Sequence, residues 1–396
     1  RGALAPRPRG THDRMSIFSI AGNVCLSAGF APATVNIFGS QIVSITPGID
    51  PRADLRVEGW IAPGWIDLQV NGAYGFDFTT DGASVAEVAQ RLPATGVTAF
   101  LPTVITAPLE NYQPILRDLA NAAPDAPGAE ILGEHLEGPY LNPQRKGAHD
   151  SAYLRLPKVD ELEAWAGSSQ VRIATLAPEL PGALDLIRRL RAQGVVVSAG
   201  HSNATFAQAM TGFETGVSWG THLFNAMAPF THREPGLVGA LLSSNVPCGL
   251  IVDGIHVHPA AVKATYRAKG ARGITLVTDA MAAMGRGPGR YKLGNRDVLV
   301  DATSARLTDG TLAGSILQMD AAVRNMIAFT GCSLADAITM ASTTPARVLG
   351  LNHKGQIVQG YDADLVVLDE SMQVELTIAR GNIVYQKNKA SKETSH

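Results

Sequence analysis

The sequence predicts an α/β protein, a TIM-like (β/α)8 barrel carrying a small β-sandwich domain formed from both termini. Three observations predict it. Eight short apolar, β-rich runs recur between Gly64 and Asp279 with helix-like stretches between them, the alternation that builds a parallel sheet. These runs are nearly continuous in apolar residues, as strands buried on both faces require. The segments on either side alternate and turn instead like antiparallel strands.

Taken in chain order, residues 1–14 (RGALAPRPRGTHDR) precede Met15 and read as a cloning remnant outside the fold. An Arg-rich transit arm is the rival reading, but Pro6 and Pro8 spoil an amphipathic helix there. Residues 15–62 form the N-terminal part of the small β-domain, with strands expected at Val35–Phe38 and Gln41–Thr46. The barrel occupies 63–354, and its strands fall at 64–70, 96–104, 129–137, 171–179, 194–201, 216–224, 246–254 and 273–280. Eight units over about 250 residues suit such a barrel. Helices are expected over Ser84–Leu92, Leu109–Asn121, Ala183–Gln193, Ala204–Gly212 and Ala260–Lys269, rich in Ala, Leu and charge and often ending near Gly. Two more, Met319–Phe329 and Leu334–Leu349, follow the eighth strand and cover the barrel's exterior, the second interrupted near Pro345. Residues 355–388 supply the C-terminal part of the β-domain; neither part makes a core alone, so they are expected to pair. A frayed tail, 389–396, ends the chain.

At 396 residues, 45% hydrophobic and 17% charged, the chain can bury a sizeable core without disulfides. Its 33 Lys+Arg against 35 Asp+Glu set up no global field for nucleic acid or an anionic membrane. No apolar run approaches the roughly 18–20 residues that span a bilayer. Cys25, Cys248 and Cys332 are scattered and read as small buried hydrophobes of a reducing, cytoplasmic protein.

In a parallel barrel, functional groups sit where strands end. Here the first run carries Gln69 and Asn71, the third Glu137, the fifth His201, the sixth His222 and the eighth Asp279, with His256 just beyond the seventh. Each has a bland use when taken singly. A strand-end His is often only hydrogen-bonded, Glu137 can cap the next loop, Asp279 can cap a helix, and Gln69 and Asn71 can form a turn beside Gly72. Two imidazoles and two carboxylates at one rim are a different matter. Two His and one carboxylate suit a catalytic Zn²⁺ or a similar divalent ion with a position open for water. Asp279 is then the candidate general base, and the constellation specifies hydrolysis.

Other groups are less determined. His256 is a candidate carbonyl polariser or a satisfied loop residue, and His258 reads as structural. His149, on a long loop after the third strand, is a candidate for a substrate hydroxyl. Arg233 is the best anion clamp, with a solvated surface Arg as its plain alternative. His135, two residues before Glu137, faces the same side and is a candidate supporting partner. Asp67, Asp253 and Asp364 have no discriminating context.

The segments PGWIDLQVNG, HLEGPYLNPQRKGAH, AGHSNAT, THLFNAM, REPGLVGA, VDGIHVHP, LVTDAM and GYDADLVVLD, in this order, resemble the N-acetylglucosamine-6-phosphate deacetylase family of the amidohydrolase superfamily. The resemblance spans Val35 to Tyr385 and is strongest in HLEGPYLN, GHSNAT and THLFNAM. It implies a metal held by Glu137, His201 and His222, an acid/base at Asp279, and His256 at the acetamide carbonyl. It further implies a sugar contact by His149, and Ala148 and Leu312 are expected among the substrate-binding residues. The phosphate would be held near Asn225 and Ala226 by Arg233 of a neighbouring subunit, hence a homodimer.

Many amidohydrolases carry His-x-His on the first strand, where this chain has Gln69-x-Asn71. Amides are poor Zn²⁺ ligands, so one divalent metal per subunit is expected, most simply Zn²⁺, with Fe²⁺, Co²⁺ or Mn²⁺ as alternatives. The expected reaction releases acetate and D-glucosamine 6-phosphate, in amino-sugar catabolism or recycling. The rivals are the same chemistry on the galactosamine epimer, a dihydroorotase-like cyclic amidase, disfavoured by the absent first-strand His pair, and a non-catalytic metal- or sugar-binding scaffold.

Overall fold

A computed structural model describes residues 16–124, 126–161 and 170–387. The tails at 1–14 and 389–396 lie outside those residues.

Strands β1 (Phe18–Leu26), β2 (Gly29–Phe38), β3 (Gln41–Pro47) and β4 (Leu55–Pro63) come first. The barrel then begins with β5 (Trp65–Val70), followed by a small hairpin of β6 (Gly72–Ala73) and β7 (Phe76–Asp77), and by β8 (Val97–Ile105). A two-residue strand, β9 (Glu130–Ile131), pairs beside β8. The remaining barrel strands are β10 (Glu134–Glu137), β11 (Val171–Leu176), β12 (Val196–Ala199), β13 (Val217–Gly220), β14 (Cys248–Leu250) and β15 (Ile274–Leu276). They pair in parallel in the order β15-β14-β13-β12-β11-β10-β8-β5. A parallel bridge from Val70 to Ala280, with Asp279 N–H donating to the Gln69 carbonyl at 2.9 Å, joins the two ends into a ring. Seven of the eight expected runs contain their strands whole, and β8 passes the end of its run by one residue, Ile105. Every residue of β5, β8 and β10 is buried, as their continuous apolar character requires.

Helices Val85–Arg91, Leu109–Ala122, Ala183–Ala192, Phe206–Thr215 and Pro259–Lys269 cover the outside near their expected places. Thr205 and Gln208 form a capping box at the fourth, which starts two residues later than the Ala-rich reading placed it because the cap decides the first turn. Met319–Thr330 follows. The long C-terminal helix is two pieces, Leu334–Ala341 and Thr343–Val348, broken at Ser342 just before Pro345.

Besides short or flanking strands, two larger elements near the barrel lie outside the sequence reading. Gly236–Ser243 is helical, yet its apolar run GLVGALLS has no face to distinguish helix from strand. Residues 289–307 form a three-stranded antiparallel sheet, β16 (Gly289–Leu293), β17 (Arg296–Val300) and β18 (Ala305–Leu307). This sheet packs Leu293, Val298 and Leu307 against Ile105, Ala148 and Met281, so it stands over the end of the barrel where β8 and β15 finish.

The chain ends form the small domain. β19 (Leu365–Leu368), β20 (Val374–Ala379) and β21 (Asn382–Gln386) extend the N-terminal strands into one sheet, β21-β20-β19-β4-β1-β2-β3. The sheet folds over its own core. Ile20, Val35 and Ile42 from one wing meet Leu365, Val367 and Ile378 from the other, and Ile42 N–H donates to Tyr361 O at 2.9 Å where the wings meet. Gly381 has φ +75°, and a Cβ there would collide with the carbonyl of Gly39, so this contact requires glycine.

Lys354, 7% exposed, fastens this domain to the barrel. Its Nζ lies 2.6 Å from Glu130, 2.9 Å from Asp362 and 2.8 Å from Asp364. Cys248 and Cys332 are buried as expected, whereas Cys25 is half-buried, and all three are free thiols. Among the described residues, no helix is long and apolar enough to cross a membrane.

Candidate active site and metal centre

Glu137 is the last residue of β10, His201 and His222 lie two residues beyond β12 and β13, and Asp279 lies three beyond β15. The parallel pairing of the strands brings these four strand ends to one rim. His201, His222 and Asp279 have φ of +48°, +28° and +49°. Left-handed backbone at non-glycine residues is unfavourable and persists only where surrounding structure enforces it. Here it turns three side chains into the barrel mouth.

There they converge. His201 Nε2 and His222 Nε2 stand 3.1 Å apart and lie 3.1 and 2.9 Å from the same oxygen, Oε1, of Glu137. These three residues form a buried group able to hold a metal ion. The donor set tests the fit. His201 Nδ1 donates to the carbonyl of Arg145 at 2.9 Å, which leaves the Nε2 lone pair facing the carboxylate. Two imidazole nitrogens crowded on one carboxylate oxygen in a buried place suit a borderline divalent cation. Burial opposes the charge on Glu137, but His201 and His222 outweigh it and hold its pKa well below the usual carboxylate range. Gly147, at φ +55°, lies against the ring of His201, where an added Cβ would approach Cε1 to 3.2 Å.

The first-strand amides stand beside this group. Gln69 Nε2 donates to Glu137 Oε1 and to Asp279 Oδ1, each at 3.1 Å, and Asn71 Nδ2 donates to Asp279 Oδ1 at 2.7 Å. Burial, reinforced by the charge of Glu137, pushes Asp279 up to about 6.

His149 reaches in from the loop after β10. Its Nδ1 lies 2.8 Å from Thr106 Oγ1 and its Nε2 3.8 Å from Glu137 Oε2. Burial, then the neighbouring His201, pushes its pKa down to about 3, so it is neutral. His256 is held by Asp253, whose Oδ2 lies 2.6 Å from Nδ1.

A cavity of about 160 Å³ opens on these groups. Asn71, Glu137, Ala148, His149, His201, His222, Asn225, Ala226, His256, Asp279 and Leu312 line it. Gln69 is fully buried beneath it. Arg233 is not brought in: it is exposed on the loop before the helix Gly236–Ser243 and is absent from the cavity wall. His135 bonds Leu68 O at 3.0 Å and Thr175 Oγ1 at 2.7 Å rather than a member of the trio. Its side chain points inward one layer deeper, too low to support the ligands directly. His258 caps the helix Pro259–Lys269, consistent with a structural role.

Sequence reasoning missed Ile105, Gly147, Leu293, Thr311 and Gly314, which also line the cavity. Leu293 and Thr311 arrive with the unexpected three-stranded sheet and its exit, and apolar residues there carry no chemical signature. It also missed Asp253 and Asp67. The spacing Asp253-x-x-His256 was available as a signal, because an Asx-type turn places such a pair together. Asp67 had none: it is buried and accepts from Thr278 Oγ1 at 2.6 Å, across the closure of the barrel.

A two-histidine, one-carboxylate centre with an adjacent carboxylate, at the C-terminal rim of a (β/α)8 barrel, defines a metal-site hydrolase. The amidohydrolase family profile matches residues 60–384. N-acetylglucosamine-6-phosphate deacetylase of Bos taurus is 44% identical over 346 residues, 83% of this chain and 84% of the relative. N-acetylgalactosamine-6-phosphate deacetylase of Escherichia coli O157:H7 is 41% identical over 329 residues, 82% and 87% of the two chains. Among solved structures, a mutant N-acetyl-D-glucosamine-6-phosphate deacetylase of Mycobacterium smegmatis in complex with N-acetyl-D-glucosamine-6-phosphate superposes with a TM-score of 0.88. That chain is 34% identical, and the match covers 93% of this chain and 99% of that one. The chain belongs to the N-acetylglucosamine-6-phosphate deacetylase family of amidohydrolases.

Proposed function

We propose that this chain hydrolyses the acetamide of N-acetyl-D-glucosamine 6-phosphate to acetate and D-glucosamine 6-phosphate. The observation that carries this is the convergence of Glu137, His201 and His222 beside Asp279 and His256 in one cavity. Glu137, His201 and His222 would hold a single divalent ion, Zn²⁺ by its donor set, which would supply Lewis acidity for the attack of water on the amide.

The protein's own groups do the rest. Both amide donors reach Oδ1 of Asp279, which leaves Oδ2 to take the proton of the attacking water. His256 faces the carbonyl oxygen and stabilises the charge that develops as the C–O bond forms. The proton held by Asp279 then passes to the nitrogen as the C–N bond breaks, so the amine leaves neutral. Gln69 and Asn71 fill the place of a first-strand histidine pair, which supports one metal rather than two.

His149, Ala148 and Leu312 are assigned to the sugar, Asn225 and Ala226 to the segment beside its phosphate. Arg233, exposed and outside its own cavity, suits a clamp delivered to the neighbouring subunit of a homodimer, where its planar fork grips phosphate. Remote binding of the phosphate positions the amide, so the unphosphorylated sugar should be far poorer. We place the enzyme in the cytoplasm, where its three free thiols stay reduced.

The galactosamine epimer is the second reading, favoured by the 41% identity to a deacetylase of that sugar phosphate. The deciding experiment measures acetate release from N-acetylglucosamine 6-phosphate, N-acetylgalactosamine 6-phosphate and unphosphorylated N-acetylglucosamine by protein of known metal content. Preference for the first supports the proposal, and preference for the second replaces it with the epimer. Inactivity on all three, at about one metal per chain, leaves a scaffold or another amide substrate.

A further inference from the structure

We infer that Asp253 is a positioning residue for the reaction, holding His256 as a doubly protonated imidazolium whose Nε2–H points at the acetamide oxygen. The inference rests on the deacetylase reading. Its geometry is local and complete. The Oδ2 of Asp253 lies 2.6 Å from His256 Nδ1, and the two side chains are 12% and 6% exposed. Oδ1 accepts the backbone N–H groups of Ile255 and His256, both at 2.8 Å. One carboxylate therefore fixes both the loop and the ring at its end. The loop is anchored in turn by Asn325, whose amide donates to Val252 O at 2.8 Å.

An ionised carboxylate only accepts hydrogen bonds, so the short contact puts a proton on Nδ1. Nε2 is then the nitrogen left for the cavity, and it meets a carbonyl oxygen there usefully only if it too carries a proton. A ring with both protons is charged, and the carboxylate 2.6 Å from it balances that charge in a largely buried place. Burial opposes the Asp253 charge, but the hydrogen bond and charge of His256 hold its pKa below the usual value, consistent with an ion pair. Deleting the carboxylate leaves a neutral ring with one proton to share between two nitrogens, and a weaker donor at the oxygen where charge develops.

The test combines kinetics with a spectroscopic readout. Asp253→Asn should lower kcat on N-acetylglucosamine 6-phosphate by about tenfold or more, with KM changed little and metal content retained. In a His256→Asn background the same substitution should change kcat less than about twofold, because Asp253 acts through the ring. An equal loss of kcat in both backgrounds, or a loss expressed only in KM, would overturn the inference. ¹⁵N-histidine spectra of the unsubstituted protein, assigned with His256→Asn, give a second readout that needs neither turnover nor a folded Asp253 variant. Protons on both ring nitrogens of His256 support the pair, and a ring lacking either proton refutes it. If the unsubstituted enzyme releases no acetate, the deacetylase reading fails by itself while the spectrum still decides the role of Asp253.

Discussion

Asn71 donates its side-chain amide to Asp279 Oδ1 at 2.7 Å although 208 residues separate the two in sequence. The contact spans the seam where β5 meets the chain leaving β15, so closing the barrel and setting the direction of the candidate base are one event. Asn71→Ala should therefore lower kcat by about 10- to 100-fold, the range for losing one hydrogen bond to a charged group of roughly 1.5–3 kcal/mol. Metal content should stay near that of the unsubstituted protein, because Asn71 touches none of the trio. Steady-state kinetics with metal analysis of the same preparation checks both parts.

Metal retention and turnover should separate cleanly between two substitutions. Asp279→Asn is expected to keep its metal and lose at least about a hundredfold in kcat, since a general acid–base group contributes roughly 10²–10⁴. His201→Gln should instead purify with little metal and regain little on adding Zn²⁺. An Asp279→Asn enzyme of near-normal turnover would remove that residue from its role.

Arg233 offers a test of assembly as well as of binding. On the proposed role, in which the guanidinium meets only phosphate, Arg233→Ala should raise KM for the phosphorylated sugar by about tenfold or more while leaving the residual turnover of the unphosphorylated sugar unchanged. Mixing Arg233→Ala with Asp279→Asn protein should then restore some sites of normal KM, formed where an intact Asp279 meets an intact Arg233 from the neighbour. No gain on mixing, in a sample that exchanges subunits, would confine Arg233 to its own chain.

Glu134 supplies a stability prediction with a sign. It is 2% exposed at the start of β10, its Oε2 has no hydrogen-bond partner, and burial pushes its pKa from 4.5 up to about 7. The folded state thus holds the proton more tightly than the unfolded chain, and stability falls as pH rises from about 4.5 to 7. Glu134→Gln abolishes that titration. Relative to the unsubstituted protein it should gain on the order of 2 kcal/mol between pH 5 and pH 8, read as melting temperature at the two pH values.

Lys354→Met should destabilise the chain by about 3–5 kcal/mol, because it strands Glu130, Asp362 and Asp364 around an apolar side chain. Urea denaturation at neutral pH measures it, and a loss below 1 kcal/mol would show the cluster hydrated rather than paired.

The sequence by itself determined the alternation of buried strand and amphipathic helix, hence the barrel, because burial on two faces imposes a local periodicity that composition displays directly. It also picked out the candidates for the chemistry: a carboxylate, two imidazoles and a further carboxylate at the ends of barrel strands are legible without knowing where they point. Only the tertiary structure decided how they meet. The left-handed backbone at His201, His222 and Asp279 is enforced by neighbours distant in sequence, the contact of Gln69 with both carboxylates exists only once the ring closes, and Leu293 reaches the cavity on a sheet whose short polar strands carry no strong pattern. Asp253 and Asp67 acquire meaning in the same way, through what lies beside them. Local periodicity follows from the chain's own stereochemistry, whereas proximity across a closed barrel follows from packing, and no single stretch of residues encodes it.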